Sequence, residues 1–76
     1  MNKQRKDDLR GVLSLLSSAI KIVQRVCDRE EDCVDNYPEN LQGTERYEQM
    51  EDAVDNLNEA IERLNEAQES IQAVLN

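Results

Sequence analysis

Eight carboxylates, Glu45, Glu48, Asp52, Asp55, Glu59, Glu62, Glu66 and Glu69, follow one another at spacings that alternate 3 and 4 without a miss. On an α-helix that alternation draws a single stripe with a mean axial step of about 5 Å. Paired carboxylates do acid–base chemistry when one member is desolvated and its pKa rises, and a water-facing row offers no such desolvation. Neighbours in the row repel by less than about 1 kcal/mol in water, and salt screens that further, so repulsion decides nothing. Two readings fit: a solvated face written in good helix formers, or a phosphate-like row that enters the basic groove of a DNA- or RNA-handling protein. Arg63 is the one basic residue after Arg46, and that scarcity of cations favours the second.

The other reactive side chains offer less. Cys27 and Cys33 lie six residues apart, which on one helix is about 9 Å of rise and roughly 240° of rotation, so they cannot bridge each other while helical. Their spacing matches neither a CxxC redox motif nor a zinc knuckle, and they read as two small packing residues. The chain has no His, the commonest metal ligand and the usual acid–base group near neutral pH. The run Asp28-Arg29-Glu30-Glu31-Asp32 lacks the order of a calcium-binding loop and reads as a solvated helix end. We therefore expect no enzyme, no metal and no cofactor.

With 17 acidic and 9 basic residues the net charge is -8, which argues against direct nucleic-acid or anionic-membrane binding. The basic N-terminal cluster Lys3, Arg5, Lys6 and Arg10, interrupted by Asp7 and Asp8, is thin support for a weak nucleic-acid contact. No apolar run reaches the roughly 18 residues of a membrane span, and no cleavage site follows the basic start, so a cytoplasmic setting with reduced thiols is expected.

The elements that position these residues follow from heptads. Leu9, Leu13, Leu16, Ile20, Val23, Cys27, Glu30 and Val34 form one a/d seam, broken only by Glu30. Tyr47, Met50, Val54, Leu57, Ile61, Leu64, Gln68, Ile71 and Leu75 form another, broken only by Gln68. Between them, residues 35–44 hold the only Pro and one of two Gly. The pattern predicts a single all-α domain over residues 1–76: a helix over about 4–34, a linker at 35–44 and a helix over about 45–75, folded back as an antiparallel two-helix hairpin. Thr44 is the expected N-cap of the second helix, with Glu45 and Glu48 suited to its first turn. Tyr37, beside Pro38, is expected to pack over the open end of the hairpin. Residues 1–25 carry +4 and residues 26–76 carry -12, so the arms are expected to attract along their flanks.

A surplus remains. Val12, Leu15, Ala19, Ile22 and Val26 widen the apolar arc of the first helix to about 160°, more than one partner helix covers. Chains this short rarely build a self-sufficient core. A second copy is the expected cover, giving a homodimeric four-helix bundle packed first helix to first helix, and a foreign protein is the rival occupant. Ala53, Ala60 and Ala67, then Val74, flank the second seam and permit close helix approach.

The stretch Asp35-Asn36-Tyr37-Pro38-Glu39-Asn40-Leu41-Gln42-Gly43-Thr44-Glu45-Arg46, followed by Glu/Asp/Asn/Leu/Ala heptads, resembles small two-helix proteins of Gram-positive phages and mobile elements that share a Pro-Glu-Asn-Leu-Gln linker. The resemblance covers the linker and second helix and implies a small accessory protein in a bacterial cytoplasm. It carries no catalytic residue, and most such proteins have no assigned activity. The expected function is a non-enzymatic interaction module that binds and inhibits or modulates a host or phage protein, through the acidic row, the stripe at Val12–Val26, or the linker residues Tyr37, Pro38 and Leu41. The alternative is a structural or assembly homodimer whose acidic face only keeps it soluble.

Overall fold

Asn2 starts the first helix: its side-chain Oδ1 accepts from the Arg5 backbone N–H at 2.9 Å, satisfying one of the amides that a helix start leaves open. In the computed structural model, which describes residues 1–76, helix α1 runs Lys3–Asp35 and helix α2 runs Glu45–Leu75. Both expected helices are present, α1 extending one residue further at each end. They pack against each other with no strand in the chain, as an antiparallel hairpin shaped into a rod of 60 × 15 × 14 Å.

Asn36 ends α1 by donating both its backbone N–H and its side-chain amide to the Asp32 carbonyl, the latter at 2.8 Å. The linker is tighter than a plain loop, because Glu39–Leu41 forms a 3-10 turn after Pro38. Gly43 then takes φ 89°, a left-handed conformation that turns the chain into α2. Thr44 joins the two parts: its hydroxyl donates to the Leu41 carbonyl at 2.8 Å and accepts from the Tyr47 N–H at 3.4 Å. Tyr37 packs tilted against Tyr47 with ring centroids 5.5 Å apart, so it closes the linker end of the seam and not the open end.

The seam residues are the ones the heptads pick out. Every a/d position named above is half-buried, and Cys27 is the one residue fully buried. Two side-chain contacts fix the register across the helices, Gln68 Nε2 to Ser17 Oγ at 2.8 Å and Cys27 Sγ to Asn58 Oδ1 at 3.5 Å; in each the residue numbers add to 85. The seam positions themselves fall one residue from that sum, with Ile20 level with Leu64 and Val34 level with Met50. Gln68, the polar interruption, thus ties the helices together through Ser17 rather than leaving an unpaired amide in the seam.

The expected attraction between the arms is not realised as ion pairs. Both ion pairs lie within one helix, Arg10–Asp7 in α1 and Arg63–Glu59 in α2. The flanks explain this. One side of the seam carries Ser17, Gln24 and Glu31 from α1 and Glu51, Asn58, Asn65 and Gln72 from α2, so acids meet acids or amides; Glu31 and Asp35 line the same groove as Glu51 and Asp55. The other side carries Val12, Ala19 and Val26 with Ala53, Ala60 and Ala67, which hold no charge. The run Asp28–Asp32 also differs from expectation. It lies inside α1, which continues to Asp35, and its Glu30 and Glu31 are half-buried.

The two glycines predict substitutions of opposite sign. A Cβ at Gly11, within α1, or at Gly43 meets nothing within 4 Å, so only backbone preference decides. Gly43→Ala is expected to destabilise by about 1–2 kcal/mol, whereas Gly11→Ala is expected to stabilise by up to about 1 kcal/mol. Thermal unfolding at one fixed protein concentration checks both.

Candidate interaction surfaces

The acidic row is built by α2 alone. Because Met50, Leu57 and Leu64 hold the inner face against α1, the positions two and five residues after each of them turn outward. All eight members from Glu45 to Glu69 are exposed. They run about 36 Å along the rod at 1.5 Å per residue. Glu59 alone has a cation in contact, Arg63 one turn on; the other seven face solvent without an ion pair. Glu45 and Glu48 also sit in the first turn of α2, where the helix dipole favours negative charge.

The apolar stripe is built by α1 alone. Val12, Leu15, Ile22 and Val26 are exposed, with Leu15 at 71% and Ile22 at 51%, and Ala19 is half-buried between them. These residues alternate spacings of 3 and 4, so they form a second seam, displaced one residue from the first. One residue is about 100° of helix rotation. Helix α1 therefore presents two seams roughly at right angles, and α2 covers one of them.

The linker residues divide. Tyr37 is half-buried and engaged with Tyr47, Pro38 is exposed and sets the turn, and Leu41 leaves its side chain 42% exposed. Leu41 is held by its backbone, whose N–H donates to the Pro38 carbonyl at 2.9 Å.

Cys27 is the residue whose surroundings the heptads did not reveal. Its thiol lies 3.5 Å from Asn58 Oδ1 and 3.7 Å from Glu31 Oε1. Burial raises its pKa above the ordinary thiol value, and the charge and hydrogen bond of Glu31 and the charge of Asp28 push it the same way. It is a protonated donor tucked in the seam, unsuited to nucleophilic or redox work. Glu31, four residues on, is readable from helical spacing, whereas Asn58, on the facing helix, is set by the inter-helix register. Cys33 is exposed, and both thiols are free.

No group of His, Cys, Asp or Glu side chains is placed to hold a metal ion, and no helix is long and apolar enough to cross a membrane. No protein-family model matches the chain, and no curated protein or solved structure is similar enough to count as a relative.

The two thiols predict a selective reaction. Alkylation of the folded protein near neutral pH is expected to modify Cys33 and spare Cys27 until the chain is unfolded, giving a single adduct by mass spectrometry. Because the folded Cys27 holds its proton to higher pH than the unfolded chain does, its contribution to stability is complete below the ordinary thiol pKa. That contribution is lost as pH rises through the folded value, and Cys27→Ala is expected to remove that alkaline loss while Cys33→Ser leaves it.

Proposed function

We propose that this chain is a non-enzymatic interaction module: a hairpin that pairs with a second copy through the α1 stripe and offers the α2 carboxylate row to a basic protein surface, blocking or modulating what that surface does. The observation that carries the reading is the row itself, eight exposed carboxylates in line with a single ion-paired member. A row with seven of its eight members free of cations, held on one helix, is pre-organised. It needs no rearrangement to meet an Arg/Lys groove, and complementary fields raise the association rate. Its axial step of about 5 Å is of the same order as the about 3.4 Å rise per phosphate on one DNA strand, so grooves that hold a nucleic-acid backbone are the fitting class. The linker's resemblance to accessory proteins of phages and mobile elements supports a bacterial host protein as the partner and the cytoplasm as the place.

A second reading is favoured by the exposed stripe: the molecule is an assembly homodimer, and its acidic face keeps it dispersed in water. The two readings share the dimer and differ in what the row does.

Neutralising alternate members separates them. Asp52→Asn, Glu59→Gln and Glu66→Gln together are expected to leave helicity and self-association unchanged, because these side chains face water. On immobilised wild-type protein, bacterial proteins captured at low salt are expected to leave as salt rises and to be displaced by excess duplex DNA; the triple variant is expected to capture them weakly and with a flatter salt response. Equal capture by the triple variant at physiological salt assigns the row to solvation and the protein to the assembly class.

The stripe gives its own prediction. Leu15→Glu with Ile22→Glu is expected to yield soluble hairpin monomers of lower stability by sedimentation, since burial of each such side chain contributes about 1.5–3 kcal/mol.

A further inference from the structure

Resting on the self-pairing read above, we infer that the two copies meet antiparallel, α1 against α1, about a two-fold axis that crosses the stripe near Ala19. Three observations carry this. The first is angular: the stripe lies about 100° around α1 from the seam that α2 covers, the corner that a helix presents in a square bundle where it touches two neighbours. The second is the order of the stripe. Val12, Leu15, Ala19, Ile22 and Val26 are nearly symmetric about the central Ala19, with a valine at each end and a branched four-carbon side chain on either side of the small residue. A two-fold contact requires such a self-complementary surface, in which residue i meets j and j meets i.

The third observation selects the direction. Helix α1 is electrically divided: residues 1–25 carry +4 and residues 26–35 carry -4. In the hairpin this division is left unanswered, because the acidic end of α1 lies beside the first turns of α2, which carry Glu45, Glu48 and Glu51. A parallel arrangement would set two such acidic ends side by side. The antiparallel one lays Lys3, Arg5 and Lys6 of one copy along the stretch that holds Asp32 and Asp35 in the other, and brings Asp8 toward Arg29. Each exposed pair contributes little, yet all of them change sign together between the two directions. The same contact places positive side chains at the C-terminus of the partner's α1, which has no basic residue in its last turn, where the helix dipole favours them. The basic N-terminal cluster is thereby occupied by protein.

Spin labels read the direction, and the native thiols make this possible because Cys33 is exposed and Cys27 is buried. With the label on Cys33, the antiparallel dimer is expected to give a label-to-label distance of about 40 Å, from twice the fourteen-residue separation between Cys33 and Ala19 at 1.5 Å each. A second sample, Ser18→Cys in a Cys33→Ser background, reports on pairing itself, since Ser18 is exposed and adjacent to the axis. It is expected to give a distance under about 25 Å, a few residue rises plus the width of two helices. A short distance from both labels means a parallel dimer and overturns the inference while the self-pairing stands. Absence of dipolar coupling in both, with a monomer mass by sedimentation, removes the self-pairing and the inference with it.

Discussion

Two helices bury only the line along which they touch, and here that line has one fully covered residue, Cys27. Everything else on the seam is half-covered, because a hairpin shields each side chain from one side and leaves the other to water. Apolar area removed from water is the main favourable term in folding, at roughly 25 cal/mol per Å², and a rod 15 × 14 Å across removes little of it. The asymmetry between the helices sharpens the constraint. Helix α1 carries two apolar seams one residue apart, α2 carries one, and the hairpin therefore satisfies α2 while leaving half of α1 unanswered. Polar contacts set the register within this thin seam: Gln68 with Ser17 and Cys27 with Asn58 each have a single alignment in which both partners meet.

Charge follows the same division. Residues 28–55, the linker end of the rod, hold eleven acidic and two basic side chains, while the basic residues of α1 gather toward the open end. No ion pair bridges the seam, so electrostatics contributes to what the rod meets more than to the hairpin itself. The acidic row follows the regular spacing of the seam beneath it, and all its members are exposed, with no cation of α1 in contact with any of them. Stripe and row thus lie on different helices and can be occupied at once.

Heptad spacing made the helices and both seams legible, since a/d alternation leaves few other arrangements for an apolar set such as Leu13, Leu16, Ile20 and Val23. Thr44 was legible for the same local reason: a hydroxyl ahead of Glu45 and Glu48 is what a helix start requires. The linker was not. A 3-10 turn at Glu39–Leu41 follows Pro38 and precedes the left-handed Gly43, and periodicity carries no information there. The expected attraction between arms is not realised as ion pairs because net charge per segment ignores which flank each residue occupies; Glu31 and Asp35 share a groove with Glu51 and Asp55, and Val12 and Val26 fall by heptad position on the same flank as Ala53 and Ala60. Asn58, the partner of Cys27 across the seam, was hidden because inter-helix register sets it, and that register appears only once the hairpin closes. The stripe and the row lie on the faces that the spacing assigns them, with Ala19 the most covered member of the stripe.

Helix α1 has a second apolar seam that the hairpin leaves exposed, and another copy is proposed to cover it. The most direct test is the unfolding temperature of the wild-type chain, followed by circular dichroism over a hundredfold range of protein concentration. Folding coupled to pairing makes the midpoint rise with concentration, as mass action requires, and that rise is expected in the wild type and expected to disappear in the variant carrying Leu15→Glu and Ile22→Glu. A wild-type midpoint that stays constant across the range, with a sedimenting mass of 8.8 kDa throughout, would contradict it.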